Sequence, residues 1–198
     1  MRYVNQRDYP DMSYVTRANP KNINHEKGKH TTVSSSGCGL CSAIMVADRL
    51  LPSYRFELED AIELSYSVGA NHAIGTDPKL FFPAFAEKMG LKLVSTNDLD
   101  ALLHCLRTGG AAVVHVGGDR EGHIGLFTHG GHYMVIIGEE PDGRLAILDP
   151  SYCESKYEEE GRVGKVEVVN GVIVLCDPQI LDGEGHVSKT HYHLFWRR

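Results

Sequence analysis

The sequence predicts an α+β fold in which helices and strands are separated along the chain. Helical patterns of apolar residues dominate the first half, and runs of β-branched residues dominate the second half. The runs in the second half are joined by tight turns such as Asn170-Gly171, which is typical of antiparallel hairpins. Helices followed by paired strands indicate a helical part packed against an antiparallel sheet.

The length of 198 residues predicts one domain over residues 1–198. Three segments are predicted within it: an N-terminal arm over 1–30, a helical half over 31–110 and a β half over 111–198. The arm contains two prolines and little periodicity, and we expect it to lie over the domain. The residues expected to hold it there are Tyr3, Tyr9 and Tyr14.

The helical half is predicted to contain helices over 39–51, 57–68, 78–89 and 99–106, a short strand over 91–95 and a loop over 31–37. The first helix is apolar round most of its circumference, which predicts that it is buried, and Pro52 ends it. Asp77 and Pro78 supply an N-cap followed by a proline at the first helical position.

The β half is predicted to contain strands over 111–116, 132–138, 144–148, 165–169, 172–176 and 190–196. The strands at 111–116 and 132–138 are continuous apolar runs, which indicates that both of their faces are buried. Three further segments are predicted as loops: the glycine- and histidine-rich segment 117–131, the acidic segment 151–161 and the segment 180–188.

Composition excludes several classes of function. The chain has 20 Lys and Arg against 26 Asp and Glu and no basic run, which argues against a nucleic-acid partner. No apolar stretch approaches the ~20 residues of a membrane span. The first residues lack the basic start and apolar run of a signal peptide, so the chain as written is expected to be cytoplasmic, or secreted if a leader has been removed.

Cys38 is the candidate nucleophile because it lies where a serine- and glycine-rich loop enters the first helix. A thiol at a helix N-terminus faces unpaired backbone N–H groups and the positive end of the helix dipole, which lower its pKa. Gly37 and Gly39 leave room for a substrate backbone. Cys38 and Cys41 also form a C-x-x-C, but no second such pair completes a zinc site and no strand precedes them as in a redox motif.

A cysteine nucleophile needs a base, and the base needs an orienting group. His132 opens the strand that follows Gly130 and Gly131, and Asp149 ends the next strand of the hairpin. Because the start of one antiparallel strand lies beside the end of its neighbour, we expect His132 and Asp149 to be close. His129 and His123, in the loop before His132, are the competing candidates for the base.

Three segments carry a family resemblance: SSGCGLCS over 35–42, GHYMVIIG over 131–138 and ILDPS over 147–151. In order and spacing they resemble the signature blocks of papain-like cysteine peptidases, and most closely the branch related to the peptidases that remove bacteriocin leaders after a double glycine. The resemblance implies a papain-like fold, a peptide or protein substrate and no cofactor. It also implies that Cys38 is the nucleophile, His132 the general base and Asp149 the residue that orients His132.

The chain departs from this family at the oxyanion hole. Papain-like enzymes commonly carry a glutamine about six residues before the cysteine, whereas this chain has Thr32 there and no glutamine between Gln6 and Gln179. Loss of one oxyanion donor slows such a reaction by on the order of a hundredfold. The candidates for oxyanion and substrate contacts are Ser36, Thr32, Gly131, Asn24 and the Cys38 backbone N–H.

The sequence therefore favours a thiol hydrolase that cleaves a peptide bond through an acyl-enzyme. Three alternatives stay open: a weakly active or inactive binding module on the same fold, an acyltransferase that uses the same three residues, and a metal site. The metal site would draw on His129, His132, His186, His191 and His193. The glycines between His129 and His132 argue against the helix that would place those two side chains on one face.

Overall fold

The structure is a computed structural model that describes residues 1–14, 32–72, 75–185 and 190–198. Within these residues it contains six α-helices and a seven-stranded antiparallel sheet, which confirms the predicted α+β class. The helices are α1 (Val33–Ser36), α2 (Cys38–Leu50), α3 (Leu58–Ser67), α4 (Pro78–Met89), α5 (Leu99–Arg107) and α6 (Pro178–Gly185). Two 3₁₀ turns are found at Gln6–Asp8 and Glu154–Tyr157.

The strands follow the predicted hairpins closely. They are β1 (Asn71–His72), β2 (Gly75–Thr76), β3 (Leu91–Thr96), β4 (Ala111–Val116), β5 (His132–Glu139), β6 (Leu145–Leu148), β7 (Val166–Val169), β8 (Ile173–Cys176) and β9 (Tyr192–Arg197). β1 and β2 form a separate hairpin, and the other strands form one sheet in the order β3-β9-β4-β5-β6-β8-β7.

Alternation along the central strands divides the interior into two cores. Val113 and Val135 face one side of the sheet and join the core that surrounds α2. Val114 and Met134 face the other side and join the core under α5. Because successive strand residues point to opposite faces, both faces of β4 and β5 are covered, as their continuous apolar runs predicted. Helix α2 is thereby buried between the other helices and the sheet.

The sheet is not confined to the second half of the chain. Strand β3, from the predicted helical half, pairs antiparallel with the C-terminal strand β9 over its whole length, with Leu91 opposite Arg197. The boundary at residue 110 therefore separates two sequence patterns, but strands from both sides of it form the sheet. No helix in the described part of the chain is long and apolar enough to cross a membrane.

Two segments predicted as loops contain helices. Residues Val33–Ser36 form α1, and the side chains of Thr32 and Ser35 cap its first turn reciprocally. Helix α6 occupies much of the segment 180–188, which was predicted as a loop. Asp177 caps this helix by accepting from the Gln179 N–H at 2.8 Å, and Pro178 follows it. This is the same start signal that correctly predicted α4.

Two histidines of the central strands are removed from solvent, His193 fully and His115 in part. The ring of His193 packs 4.6 Å from that of Phe82, and its Nδ1 is hydrogen-bonded to Ser95 Oγ at 2.9 Å. Burial lowers the pKa of His193 to about 3, and nearby His115 and His191 lower it further. Burial likewise lowers the pKa of His115 to about 4. Both groups are therefore held neutral at neutral pH.

The protein should lose stability in mild acid because of these histidines. In the unfolded chain His115 and His193 bind protons near pH 6.5, whereas in the folded chain they do so only near pH 3 to 4. The stability that these neutral histidines contribute is therefore fully present above about pH 6.5 and falls below it. For His193 the slope reaches up to about 1.4 kcal/mol per pH unit. Urea unfolding between pH 7.5 and 4.5 should show this slope, reduced in His193→Phe. The exposed His104→Gln is the control, and an equal slope in wild type and His193→Phe contradicts the prediction.

Candidate active site

Cys38 is the first residue of α2 and is partly exposed. Gly37 separates it from α1, and a Cβ at Gly37 would lie 2.6 Å from Val33 atoms, so only glycine allows the chain to turn there. A Cβ at Gly39 would lie 3.0 Å from Thr76, which brings the small hairpin against the start of α2. The two glycines thus fix the position of the cysteine rather than only leaving room for a ligand.

His132 and Asp149 meet at the end of the β5–β6 hairpin, as predicted. His132 is the first residue of β5, and Asp149 directly follows β6. Val135 pairs with Leu148, so the start of one strand lies beside the end of the other. The His132 Nε2 lies 2.7 Å from Asp149 Oδ1, and both side chains are buried.

The third contact joins Cys38 to His132. The imidazole of His132 lies within interaction range of the Cys38 thiol, as do the backbone N–H groups of Tyr133 and Gly39. Because Asp149 occupies Nε2, Nδ1 is the ring nitrogen left for the thiol. The structure therefore brings the three predicted residues together in the order Cys38, His132, Asp149.

The electrostatics of these contacts favour an ion pair between the thiol and the imidazole. Burial raises the pKa of the Cys38 thiol, but His132 and the backbone N–H groups of Tyr133 and Gly39 together lower it by more, so the net pKa lies below the ordinary value. Burial lowers the pKa of His132, but the charge and hydrogen bond of Asp149 raise it above the ordinary value. A lowered pKa of the thiol and a raised pKa of the imidazole are the shifts that a thiolate–imidazolium pair requires.

Asp149 is fully buried and is surrounded by hydrogen-bond donors. Its Oδ1 accepts from His132, from the Ser151 N–H at 2.8 Å and from the Ser151 hydroxyl at 3.1 Å. Its Oδ2 accepts from Lys156 Nζ at 2.5 Å and from the Tyr157 hydroxyl at 2.6 Å. Burial opposes the charge of Asp149, but His132 and Lys156 together hold its pKa far below the usual range. The carboxylate is therefore ionised and fixed in orientation.

The N-terminal segment links the two segments that carry the site. The Tyr3 hydroxyl donates to the Asp149 carbonyl at 2.5 Å, and the Gln6 N–H donates to the Pro150 carbonyl at 2.7 Å. The side-chain amide of Gln6 donates to the Ser34 carbonyl at 2.6 Å. One short segment thus holds helix α1, before the cysteine, and the loop after the aspartate at a fixed distance, and the predicted contact of Tyr3 with the domain is made here.

The competing histidines are engaged elsewhere. The exposed ring of His129 lies between Asp119 at 2.9 Å and Glu159 at 3.0 Å. His123 pairs with the buried Glu184 at 2.8 Å. Of the three candidate histidines, His132 is the one that acts on the Cys38 thiol in the described part of the chain.

The candidate oxyanion donors are placed unevenly. The hydroxyl of Thr32 lies 3.3 Å from Ser35 Oγ in the cap of α1, and Ser36 is buried with its hydroxyl 3.5 Å from the same oxygen. Within the described residues, neither hydroxyl is hydrogen-bonded to Cys38. Gly131 is exposed directly before His132, and Asn24 lies outside the described residues. The Cys38 backbone N–H, at the start of α2, is the donor that the helix itself provides.

In the described part of the chain, no three His, Cys, Asp or Glu side chains are grouped so that they could hold a metal ion, while His186 lies outside it. Cys38 and Cys41 are both free thiols. Cys41 is buried in the core, and burial raises the pKa of its thiol well above the ordinary value. Cys41 is therefore a core residue of α2.

Sequence reasoning missed the residues that surround Asp149. Ser151 and Tyr157 lie within the segment predicted as an acidic loop, and Lys156 is a single cation among its glutamates. A lysine in such a segment resembles a solvated surface residue, whereas here it is 7% exposed. The only available signal was the short separation of these residues from Asp149. Their positions depend on the 3₁₀ turn that folds the segment back over the carboxylate.

Two solved structures share this architecture. The peptidase domain of Streptococcus ComA, a bifunctional ABC transporter involved in a quorum-sensing pathway, has a TM-score of 0.52 and 17% identity, with 81% of this chain and 91% of that chain covered. The chain has the papain-like fold of the C39 peptidase domains. A C39-like peptidase from Bacillus anthracis has a TM-score of 0.52 and 12% identity, with 82% and 89% covered. No protein-family model and no curated protein matches the sequence.

These similarities confirm the predicted resemblance to the leader-processing peptidases at the level of the fold. At 12–17% identity they carry no residue roles from one chain to the other. What the site can do chemically therefore follows from its own geometry.

Asp149→Asn should destabilise the fold strongly. The change leaves the ammonium of Lys156 buried beside a neutral amide, and breaking a buried ion pair in this way costs about 3–5 kcal/mol. The free energy of unfolding, measured in urea at pH 7, tests this. The control is Asp142→Asn, which breaks the exposed pair with Arg144 and should leave stability nearly unchanged. Equal stability of the two variants would contradict the burial argument.

Proposed function

We propose that this chain is a cysteine peptidase in which Cys38 is the nucleophile, His132 the general base and acid, and Asp149 the residue that orients His132. The observation that carries the proposal is the 2.7 Å hydrogen bond of His132 to the buried Asp149, at a place where the imidazole also acts on the Cys38 thiol. Its occurrence in a fold shared with C39 peptidase domains supports a peptide as the substrate.

In this mechanism the Cys38 thiolate attacks the carbonyl carbon of a peptide bond while His132 is protonated. The tetrahedral intermediate collapses as His132 donates its proton from Nδ1 to the leaving amine, which leaves a thioester on Cys38. His132, now neutral, takes a proton from water, and the resulting hydroxide attacks the thioester. Collapse of this second intermediate returns the sulfur as a thiolate and releases the acid.

The orientation of His132 follows from the donors around Asp149. The ionised carboxylate accepts the Nε2 proton, so the neutral imidazole carries its lone pair on Nδ1, toward the sulfur. The negative charge on the tetrahedral oxygen would be met by the backbone N–H of Cys38, at the positive end of α2.

A second candidate is a slow enzyme or a binding module on the same fold. It is favoured by Thr32, which stands where papain-like enzymes carry the glutamine of the oxyanion hole. The hydroxyl of Thr32 caps α1 and is therefore engaged there. Acyl transfer to an amine would use the same three residues. The experiments below separate these possibilities.

Alkylation of Cys38 against pH tests the ion pair. We expect iodoacetamide to react with Cys38 well below pH 8.5, the ordinary thiol pKa, because His132 stabilises the thiolate. A Cys153→Ser background removes the other partly exposed thiol, since the remaining cysteines are buried. The rate should be followed by mass spectrometry of the peptide that contains Cys38.

His132→Ala should abolish the reactivity of Cys38 below pH 8, and the matched control His129→Ala should leave it unchanged. His129 is a suitable control because its ring contacts only exposed acidic groups in the described structure. Ordinary thiol reactivity in the wild-type protein, or equal reactivity in the two histidine variants, would contradict the proposed mechanism.

Peptide cleavage separates hydrolysis from the other candidates. Incubation with a mixed peptide library, with and without an added primary amine, should yield new C-terminal acids in the wild type and none in Cys38→Ala. Amide products formed only with the amine would indicate acyl transfer. Peptide binding that survives in Cys38→Ala, with no cleavage in either protein, would indicate a binding module.

A further inference from the structure

Lys156 is a buried cation beside the proposed catalytic residues, and the mechanism above does not use it. Its side chain is 8% exposed, in the 3₁₀ turn Glu154–Tyr157. Its ammonium donates to Asp149 Oδ2 at 2.5 Å and to Ser151 Oγ at 2.7 Å. The Ser151 hydroxyl in turn lies 3.1 Å from Nε2 of His132. Lys156 therefore reaches the imidazole through two groups without being bonded to it.

This arrangement gives the carboxylate two cationic partners on opposite oxygens. His132 occupies Oδ1 and Lys156 occupies Oδ2. A carboxylate that carries one negative charge attracts an imidazolium less strongly when a second positive charge lies against it. The charge of Lys156 accordingly opposes the effect of Asp149 on the pKa of His132.

We propose that Lys156 is a positioning residue that acts through Asp149 and Ser151 to set the proton affinity of His132, and so the upper limit of the pH range in which the thiolate–imidazolium pair exists. The inference rests on the proposed function, which assigns His132 as the base. It adds a fourth residue whose charge, rather than only its hydrogen bonds, tunes that base.

Several other charged and titratable groups lie around Lys156. Arg162 donates to the Lys156 carbonyl at 3.2 Å and pairs with Glu159 at 3.0 Å. Besides Asp149, the charged or titratable groups that act on Lys156 are Arg162 and Cys153. Burial lowers the pKa of Lys156, and the charge of Asp149 opposes that shift.

On the other side, His132 faces groups from two elements. Cys38 contacts it from α2, and the neutral His115 lies near it on β4. The charge of Lys156 also acts directly on His132, in the same direction as its effect through Asp149 and Ser151.

Two substitutions separate the charge of Lys156 from its hydrogen bonds. Lys156→Gln removes the charge and keeps a donor for Asp149. Tyr157→Phe removes the neutral donor from the same carboxylate oxygen, at 2.6 Å, and keeps the charge. The readout is the titration of His132, followed by NMR with ¹³Cε1-labelled histidine and assigned with His132→Gln.

We expect Lys156→Gln to raise the pKa of His132 by roughly one unit, the size of effect produced by removing one nearby charge. Tyr157→Phe should leave that pKa close to the wild-type value. No shift in Lys156→Gln, a downward shift, or an equal shift in both variants overturns the inference. Because the titration needs no turnover, it gives an answer even if the peptidase proposal fails.

A measurement on the wild-type protein covers the case in which Lys156→Gln does not fold. The inference requires Lys156 to stay protonated throughout the titration of His132. The Lys156 signal of ¹³Cε-labelled lysine can be assigned by its change in chemical shift in Tyr157→Phe, because Tyr157 and Lys156 share the same oxygen of Asp149. Titration should then show the ammonium of Lys156 still protonated at the midpoint of the His132 titration. Loss of the lysine proton at or below that midpoint overturns the inference.

Discussion

The buried carboxylate of Asp149 is the group on which the rest of the site depends. It is fully removed from solvent, and an ionised carboxylate in that position is stable only when its charge is paired and its oxygens are hydrogen-bonded. His132, Lys156, Ser151 and Tyr157 meet both requirements. Because the carboxylate is held from several directions, the imidazole bonded to it has one orientation, and that orientation places its other nitrogen toward Cys38.

The fold brings these groups together from distant parts of the chain. Helix α2 supplies the thiol, the β5–β6 hairpin supplies the histidine and the aspartate, and the 3₁₀ turn after β6 supplies the lysine. The N-terminal segment then ties helix α1, before Cys38, to the loop after Asp149 through Gln6. The core around α2 includes Tyr133, so the cysteine and the histidine are fixed by the same packing.

Much of this arrangement could be predicted from sequence, and the exceptions have physical causes. Apolar runs and caps predicted α2, α4 and the central hairpin, since each signal is local. The pairing of β3 with β9 joins residues 91 and 197 and has no local signal. Helix α6 was not predicted, although Asp177 supplies its capping signal. The contact of His132 with Asp149 was predicted, because it follows from hairpin geometry. The burial of Lys156 could not be predicted, because only the folded 3₁₀ turn removes it from water.

The tautomer of His132 in Cys38→Ala tests the central claim most directly. Without the thiol, the neutral imidazole should carry its proton on Nε2, held by Asp149, with Nδ1 unprotonated. Long-range ¹H–¹⁵N correlation spectra of ¹⁵N-labelled histidine, recorded above the midpoint of the His132 titration, distinguish the two ring nitrogens. A single Nε2–H form supports the account. An Nδ1–H form, or rapid exchange between the two, would show that Asp149 does not orient the base.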